Sequence, residues 1–112
     1  MAQEVNFPEI FEQLKQDVIN LAGTTVKNYV NDAKTDGQNM LNVMKEKLER
    51  WTNQLANGGL TTQDFEWLVY SQKELIVMDS LKQAGLAEIR IEQFKGGIIN
   101  LVIDTIFHLL KI

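Results

Sequence analysis

Apolar and polar positions recur every eleven residues between Phe7 and Leu55. One apolar column reads Phe7, Val18, Tyr29, Met40 and Trp51, and a second reads Phe11, Ala22, Ala33, Met44 and Leu55. A third column is polar throughout and reads Glu9, Asn20, Asn31, Asn42 and Asn53. Eleven residues make three turns at about 3.67 residues per turn, close to the relaxed α-helical value. The pattern therefore predicts helix with an apolar stripe on one side and an asparagine-rich face on the other.

Both apolar columns keep the same phase across Gly23 and across Asp36-Gly37, although Asp-Gly is a strong turn signal. Two helices joined by a loop would have no reason to share one phase of the apolar columns. We therefore predict one helix over residues 7–56, about 75 Å long. The alternative is a break at residues 35–37 that leaves two shorter helices. A continuous helix also predicts that Gly37→Ala is neutral or stabilising, because glycine costs about 1 kcal/mol relative to alanine in a helix.

A second helix is predicted over residues 62–84 by the signals at its start. Thr61 is a good N-cap, and Asp64 resembles the acidic partner of a capping box. Leu60 and Phe65 have the spacing of a hydrophobic staple. The apolar residues of this segment cover more than one side of a helix, which predicts packing partners on several sides.

Glycines mark the two helix ends that flank this segment. Asn57-Gly58-Gly59 follows the first helix and offers a glycine for a left-handed cap. Gly85 follows the second, and Leu86 is placed to pack back near Leu81 in a Schellman motif.

A last helix is predicted over residues 86–111, with a possible kink, turn or close-packing site at Gly96-Gly97. Beyond these glycines the segment is almost wholly apolar, apart from a narrow polar stripe of Asn100, Asp104, His108 and Lys111. Fifteen residues of helix span about 22 Å, less than the roughly 30 Å hydrocarbon layer, so we predict no transmembrane span. The alternatives for this helix are a buried place in the bundle, a subunit interface and a lipid-facing surface.

Taken together, these elements predict one all-α domain over residues 1–112. The expected architecture is an elongated antiparallel helical bundle or hairpin built on the long amphipathic helix. A compact up-and-down four-helix bundle is the alternative.

Charge and composition exclude several classes of function. The net charge is −4 without a basic patch, which argues against nucleic-acid binding. The chain has no cysteine, so it has no disulfide and no thiolate metal site. The first residues lack the features of a signal peptide, and a cytoplasmic location is the default expectation.

Few residues are candidates for catalysis or ligand binding. Asp104 and His108 are one helical turn apart, but two ligands do not complete a metal site. Neither Ser71 nor Ser80 lies in a nucleophile elbow. We therefore predict no catalytic residue, no bound metal, no cofactor and no enzymatic activity.

The long stripe and the apolar last helix favour an interaction or assembly protein that acts through apolar helical surfaces. The expected partner is a second copy of the chain or another helical protein. The interaction surface is expected to include Phe7, Phe11, Val18, Tyr29, Met40, Met44, Trp51, Ile99, Ile103, Ile106, Phe107 and Leu110.

A lipid surface is the alternative partner. Over residues 7–55 the eleven-residue period resembles that of the exchangeable apolipoproteins and of synuclein-like surface helices. The stretch Ala22-Gly23-Thr24-Thr25-Val26-Lys27 has their glycine, threonine, valine and lysine character. The resemblance implies an amphipathic helix that binds membrane surfaces, although the face opposite the stripe is rich in asparagine and short of lysine.

Overall fold

The chain is described by a computed structural model over residues 5–112. Its five α-helices are α1 (Phe7–Thr25), α2 (Val30–Ala56), α3 (Thr62–Gln72), α4 (Asp79–Gln83) and α5 (Glu88–Leu110). Short 3₁₀ turns at Lys27–Tyr29 and Lys73–Leu75 lie before α2 and after α3. The predicted all-α class is confirmed, since residues 5–112 contain no strand.

The first two helices form an antiparallel hairpin, and α5 packs antiparallel to α1. Val18 of α1 faces Gly37 of α2, and the Lys45 ammonium lies 5.0 Å from the centre of the Phe11 ring. One turn further along α1, Leu21 lies against Gly97 of α5. Further along α5, the Thr105 hydroxyl donates a 2.9 Å hydrogen bond to Asp17.

The third arm of the bundle, beside α2 and α5, consists of α3 and α4 placed end to end. The Lys47 ammonium of α2 donates to the Gln72 side chain of α3, and Asp36 of α2 accepts from the backbone of Ser80 in α4. This third arm therefore runs antiparallel to α2, and α5 runs back beside it. The result is an elongated up-and-down bundle that measures 49 × 23 × 19 Å.

The prediction of one helix over residues 7–56 is wrong, because the helix ends at Thr25. Val26 has φ −130° and ψ 59° and inserts its side chain into the core. The residues before it favour such an end, since β-branched threonines are weak helix formers. The hydroxyls of Thr24 and Thr25 also bond back to the carbonyl oxygen of Leu21, a pattern that competes with regular helix.

The eleven-residue phase survives this break because both arms of the hairpin face one core. Ala22 and Ala33 lie at equal distances from the turn, as do Phe11 and Met44, and all four side chains are buried. When the repeat forms a hairpin, the apolar stripe of each helix faces the core between the two helices. Shared phase therefore does not require a continuous helix.

The alternative break at residues 35–37 is also absent, since α2 continues through Asp36-Gly37. Asp36 is buried, and its carboxylate accepts hydrogen bonds from the amides of Ser80 (3.1 Å) and Leu81 (2.8 Å). The carboxylate thus caps the first turn of α4 from a neighbouring helix. The Asp-Gly pair serves packing between helices, not a turn.

The predicted helix over residues 62–84 is wrong in its second half. After Gln72 the chain makes one 3₁₀ turn, leaves helical structure over residues 76–78, where Ile76 is extended at φ −108° and ψ 130°, and re-enters a helix at Asp79. Ile76 and Val77 are β-branched and favour extended backbone. Ile76 and Met78 are buried while Val77 points to solvent, the alternation of a strand-like segment.

The predicted end signals of the helices are confirmed. The Thr61 hydroxyl accepts from the Asp64 amide and the Asp64 carboxylate accepts from the Thr61 amide, which completes the capping box. Gly85 has φ +94°, and Leu86 donates to the Leu81 carbonyl in the predicted Schellman motif. Gly58 has φ +83° and ends α2 in the same manner.

The glycine pair of the last segment lies inside a continuous α5. A Cβ on Gly97 would lie 3.3 Å from a methyl group of Leu21. Of the alternatives for Gly96-Gly97, close packing against α1 is therefore the correct one.

Thr52 of α2 is fully buried, and its hydroxyl has no hydrogen-bond partner among residues 5–112. We expect Thr52→Val, which replaces the hydroxyl with a methyl group, to raise the free energy of unfolding by about 1 kcal/mol. Urea denaturation followed by circular dichroism measures this change. An unchanged or lower stability would mean that the hydroxyl is satisfied in solution.

Candidate functional site

The residues predicted to form the interaction surface lie inside the bundle. The buried ones are Phe7, Phe11, Val18, Met40, Met44, Trp51, Ile99, Ile103, Ile106 and Leu110, and the half-buried ones are Tyr29 and Phe107. In residues 5–112 this set is the chain's own core, because the hairpin and α5 cover each other's stripes. In the folded monomer these side chains are therefore not open to a partner, and their predicted role in an interaction stays a prediction.

The polar faces lie where the sequence places them. The side chains of the asparagine column are exposed on α1 and α2, opposite the core. Asp104 and His108 are exposed on α5. Among residues 5–112, no group of three or more histidine or acidic side chains is arranged to hold a metal ion.

Large apolar side chains are exposed between α3 and α4, where the third arm of the bundle is interrupted. Leu75 is 67% exposed and Val77 is 72% exposed, while Ile76 between them is buried. The strand-like alternation of this segment sends every second side chain to solvent. No helix of the described chain packs over these two side chains.

The first turn of α5 adds a third exposed side chain to this region. Ile89, Gly96, Asn100 and Phe107 lie within about 40° of one another on the helix. Phe107 packs on Phe65 of α3 with ring centres 5.6 Å apart, so this line of α5 faces α3. Ile89 extends the line beyond the end of α3 and is 69% exposed. We call Leu75, Val77 and Ile89 the apolar patch.

Contacts between α3 and α5 fix the position of the patch. The Tyr70 hydroxyl donates a 2.6 Å hydrogen bond to the Asn100 side chain, and the Lys73 ammonium lies 3.6 Å from a carboxylate oxygen of Glu92. The antiparallel course of these pairs places Leu75 and Val77 beside residues 88–92. The patch therefore lies where the chain leaving α3 passes the first turns of α5.

An open cavity of about 450 Å³ adjoins the patch. Its apolar lining comes from Ile76, Val77, Met78, Leu86 and Ile91. Its charged lining comes from Glu74, Lys82, Glu88, Glu92 and Lys95. A hollow that combines apolar and charged side chains in this way is a candidate binding surface for another molecule.

The charges around the cavity differ in how they are paired. Glu92 forms ion pairs with Lys73 and with the buried Lys95, whose ammonium lies 3.3 Å away. Glu74, Glu88 and Lys82 form no ion pair within residues 5–112. These three charges are free to interact with a partner.

Sequence reasoning missed the patch because it assigned residues 62–84 to one helix. In that helix, Leu75 and Val77 would belong to an apolar surface packed on several sides. The signal that could have revealed the patch is the run Leu75-Ile76-Val77-Met78, in which β-branched residues interrupt the helical pattern.

Within the described residues, no helix is both long and apolar enough to cross a lipid bilayer. Searches of the chain against protein-family models, curated proteins and solved structures each found no match.

Proposed function

We propose that this chain is a non-enzymatic helical assembly protein that binds a protein partner through the apolar patch. The observation that carries the proposal is the exposure of Leu75, Val77 and Ile89 beside an open, partly apolar cavity. Isolated exposed apolar residues are common, but a group around a hollow marks an interaction site. The buried stripe builds the scaffold that presents this group.

A photo-cross-linking amino acid at position 75 tests this proposal in the cells that produce the protein. We expect cross-links to protein from position 75 and few from position 42, which lies on the exposed asparagine face. The control position separates specific contact from random collision. Equal cross-linking from the two positions would contradict the proposal.

A lipid surface is the second candidate because aromatic residues are exposed on α3. Trp67 is 70% exposed on α3, and Tyr70 lies one turn further along the same helix. Tryptophan and tyrosine are enriched where proteins meet the interfacial region of membranes.

Tryptophan fluorescence distinguishes a lipid partner from a protein partner. Trp51 is buried and Trp67 is exposed, so the Trp51→Phe variant reports on Trp67 alone. We expect red-shifted emission in buffer that does not change with phosphatidylcholine or phosphatidylserine vesicles. A blue shift with either vesicle would favour the lipid function instead.

A further inference from the structure

The charges that a partner would meet around the open cavity are mainly negative. Glu74 and Glu88 line the cavity, are exposed and form no ion pair within residues 5–112. Asp79 directly follows Met78 of the lining and is likewise exposed and unpaired in the described part of the chain. Among the lining residues, Lys82 is the one exposed cation. Three unpaired carboxylates therefore stand against one unpaired ammonium group.

The other two lysines of this region are held by one carboxylate. The side chain of Lys95 is only 9% exposed, and its ammonium lies 3.3 Å from one carboxylate oxygen of Glu92. The Lys73 ammonium lies 3.6 Å from the second oxygen, while Glu92 itself stays 44% exposed. Because a carboxylate lies close to each of these ammonium groups, they add less positive potential to the surface than Lys82 does.

Helix stability explains only part of this acidic surface. Glu88 lies in the first turn of α5, where a carboxylate offsets the helix dipole. Asp79 has the same position in α4, but the buried Asp36 carboxylate already caps that helix. Glu74 lies in a 3₁₀ turn of three residues, which has little dipole to offset. A cationic partner would give Glu74 and Asp79 the ion pairs that residues 5–112 do not supply.

We propose that the partner is a protein segment in which lysine or arginine flanks a large apolar side chain. This inference rests on the proposed function and specifies the chemistry of its partner. The apolar side chain enters the cavity against Ile76, Met78 and Ile91, and the flanking cations reach Glu74 and Glu88. The cavity volume of about 450 Å³ is within the usual range of binding sites, about 300–1,000 Å³. Because apolar side chains and carboxylates line the same cavity, one segment has to satisfy both.

The same charges argue against two other occupants. A second copy of the chain would bring its own carboxylates against those of the first, since a self-complementary interface joins identical surfaces. An anionic membrane would likewise face these carboxylates with further negative charge. The net charge of −4 makes both contacts less favourable still.

Short synthetic peptides with a fluorescent label test the inference on the full chain. One peptide combines leucine and lysine, a second has glutamate in place of lysine, and a third has serine in place of leucine. We expect fluorescence anisotropy to show that the leucine–lysine peptide binds at least about tenfold more tightly than the other two. Added salt should weaken this binding. Equal affinity for the lysine and glutamate peptides, or no binding of any peptide, would overturn the inference.

Two double variants separate a local charge effect from the net charge of the protein. Glu74→Gln with Glu88→Gln removes two carboxylates from the cavity lining. Glu46→Gln with Glu49→Gln makes the same change in net charge at exposed positions of α2. We expect the first pair to weaken binding of the leucine–lysine peptide by about tenfold and the second to have little effect. Equal weakening would mean that the peptide responds to the whole protein and would overturn the inference.

The apolar half of the site is tested in the same assay. We expect Val77→Ser to weaken binding of the leucine–lysine peptide several-fold, because it removes apolar surface from the cavity wall. Val43→Ser is the matched control, since Val43 is also exposed, at 64%, but lies on α2. Equal effects of the two variants would overturn the inference.

These results separate the inference from the proposed function. If position 75 cross-links to protein but lysine and glutamate peptides bind alike, only the inferred chemistry of the partner is wrong. If position 75 gives no more cross-links than position 42, the proposed function is wrong and the inference falls with it. A dimer in sedimentation velocity that Val77→Ser abolishes would identify a second copy as the occupant and would also overturn the inference.

Discussion

Gly37→Ala should lower the free energy of unfolding by about 1–2 kcal/mol, although Gly37 lies within a helix. A Cβ at this position would stand 2.5 Å from a methyl carbon of Val18, closer than real carbon atoms approach. Val18 is fully buried and β-branched, so it has little freedom to move aside. Overpacking of this kind costs about 1–3 kcal/mol and exceeds the roughly 1 kcal/mol that alanine contributes to helix formation.

A second glycine supplies the control for this prediction. Gly23 is exposed in α1, and apart from its own helix backbone a Cβ there would meet no atom of residues 5–112 within 4 Å. We expect Gly23→Ala to raise the stability by about 0.5–1 kcal/mol, because only the helix propensity changes. Urea melts of the two variants beside the wild type measure both effects under the same conditions.

Removing the neighbouring methyl groups should reverse the effect of Gly37→Ala. In a Val18→Ala background the space beside Gly37 is open, so the added methyl group fills part of a cavity. We therefore expect Gly37→Ala to be neutral or stabilising in that background, with a coupling energy of about 1–2 kcal/mol. Additive effects would show that α1 and α2 are not in contact at this point.

The case of Gly37 shows how far the sequence can predict the fold. The period of the stripe identifies the core residues of α1 and α2 correctly, because burial depends on which side of a helix a residue occupies. The period does not distinguish one long helix from a hairpin, since both place the same side against apolar surface. It also cannot show that Gly37 faces Val18, because this contact depends on how the two helices cross.

The same limit applies to the candidate site. End signals at Thr61 and Gly85 are local, and the sequence predicts them correctly. The interruption at residues 76–78 depends on a distant residue, because Asp36 supplies the cap that lets α4 begin where it does. Exposure of Leu75 and Val77 follows from that interruption. The apolar patch is therefore a consequence of tertiary structure and has only a weak signal in the sequence.

Asp36→Ala should be more damaging than Gly37→Ala, with a loss of about 2–4 kcal/mol. The carboxylate accepts two hydrogen bonds from the first turn of α4, at distances of 3.1 and 2.8 Å. Bonds to a charged group are each worth about 1.5–3 kcal/mol, and a carboxylate at a helix N-terminus also interacts favourably with the helix dipole. Alanine would leave the buried Leu81 amide without a partner.

Asp32→Ala is the matched control, since Asp32 lies one turn earlier in α2 and accepts no hydrogen bond from another helix within residues 5–112. We expect this variant to cost no more than about 1 kcal/mol, the value of an acidic residue in the first turn of a helix. Asp36→Asn should fall between the two, because its amide oxygen can still accept one of the bonds.

Hydrogen exchange provides a local readout in addition to the urea melts. In Asp36→Ala the amides of Ser80 and Leu81 should exchange faster than the change in global stability accounts for. Uniform acceleration across all helices would mean that Asp36 stabilises the bundle as a whole, not the start of α4.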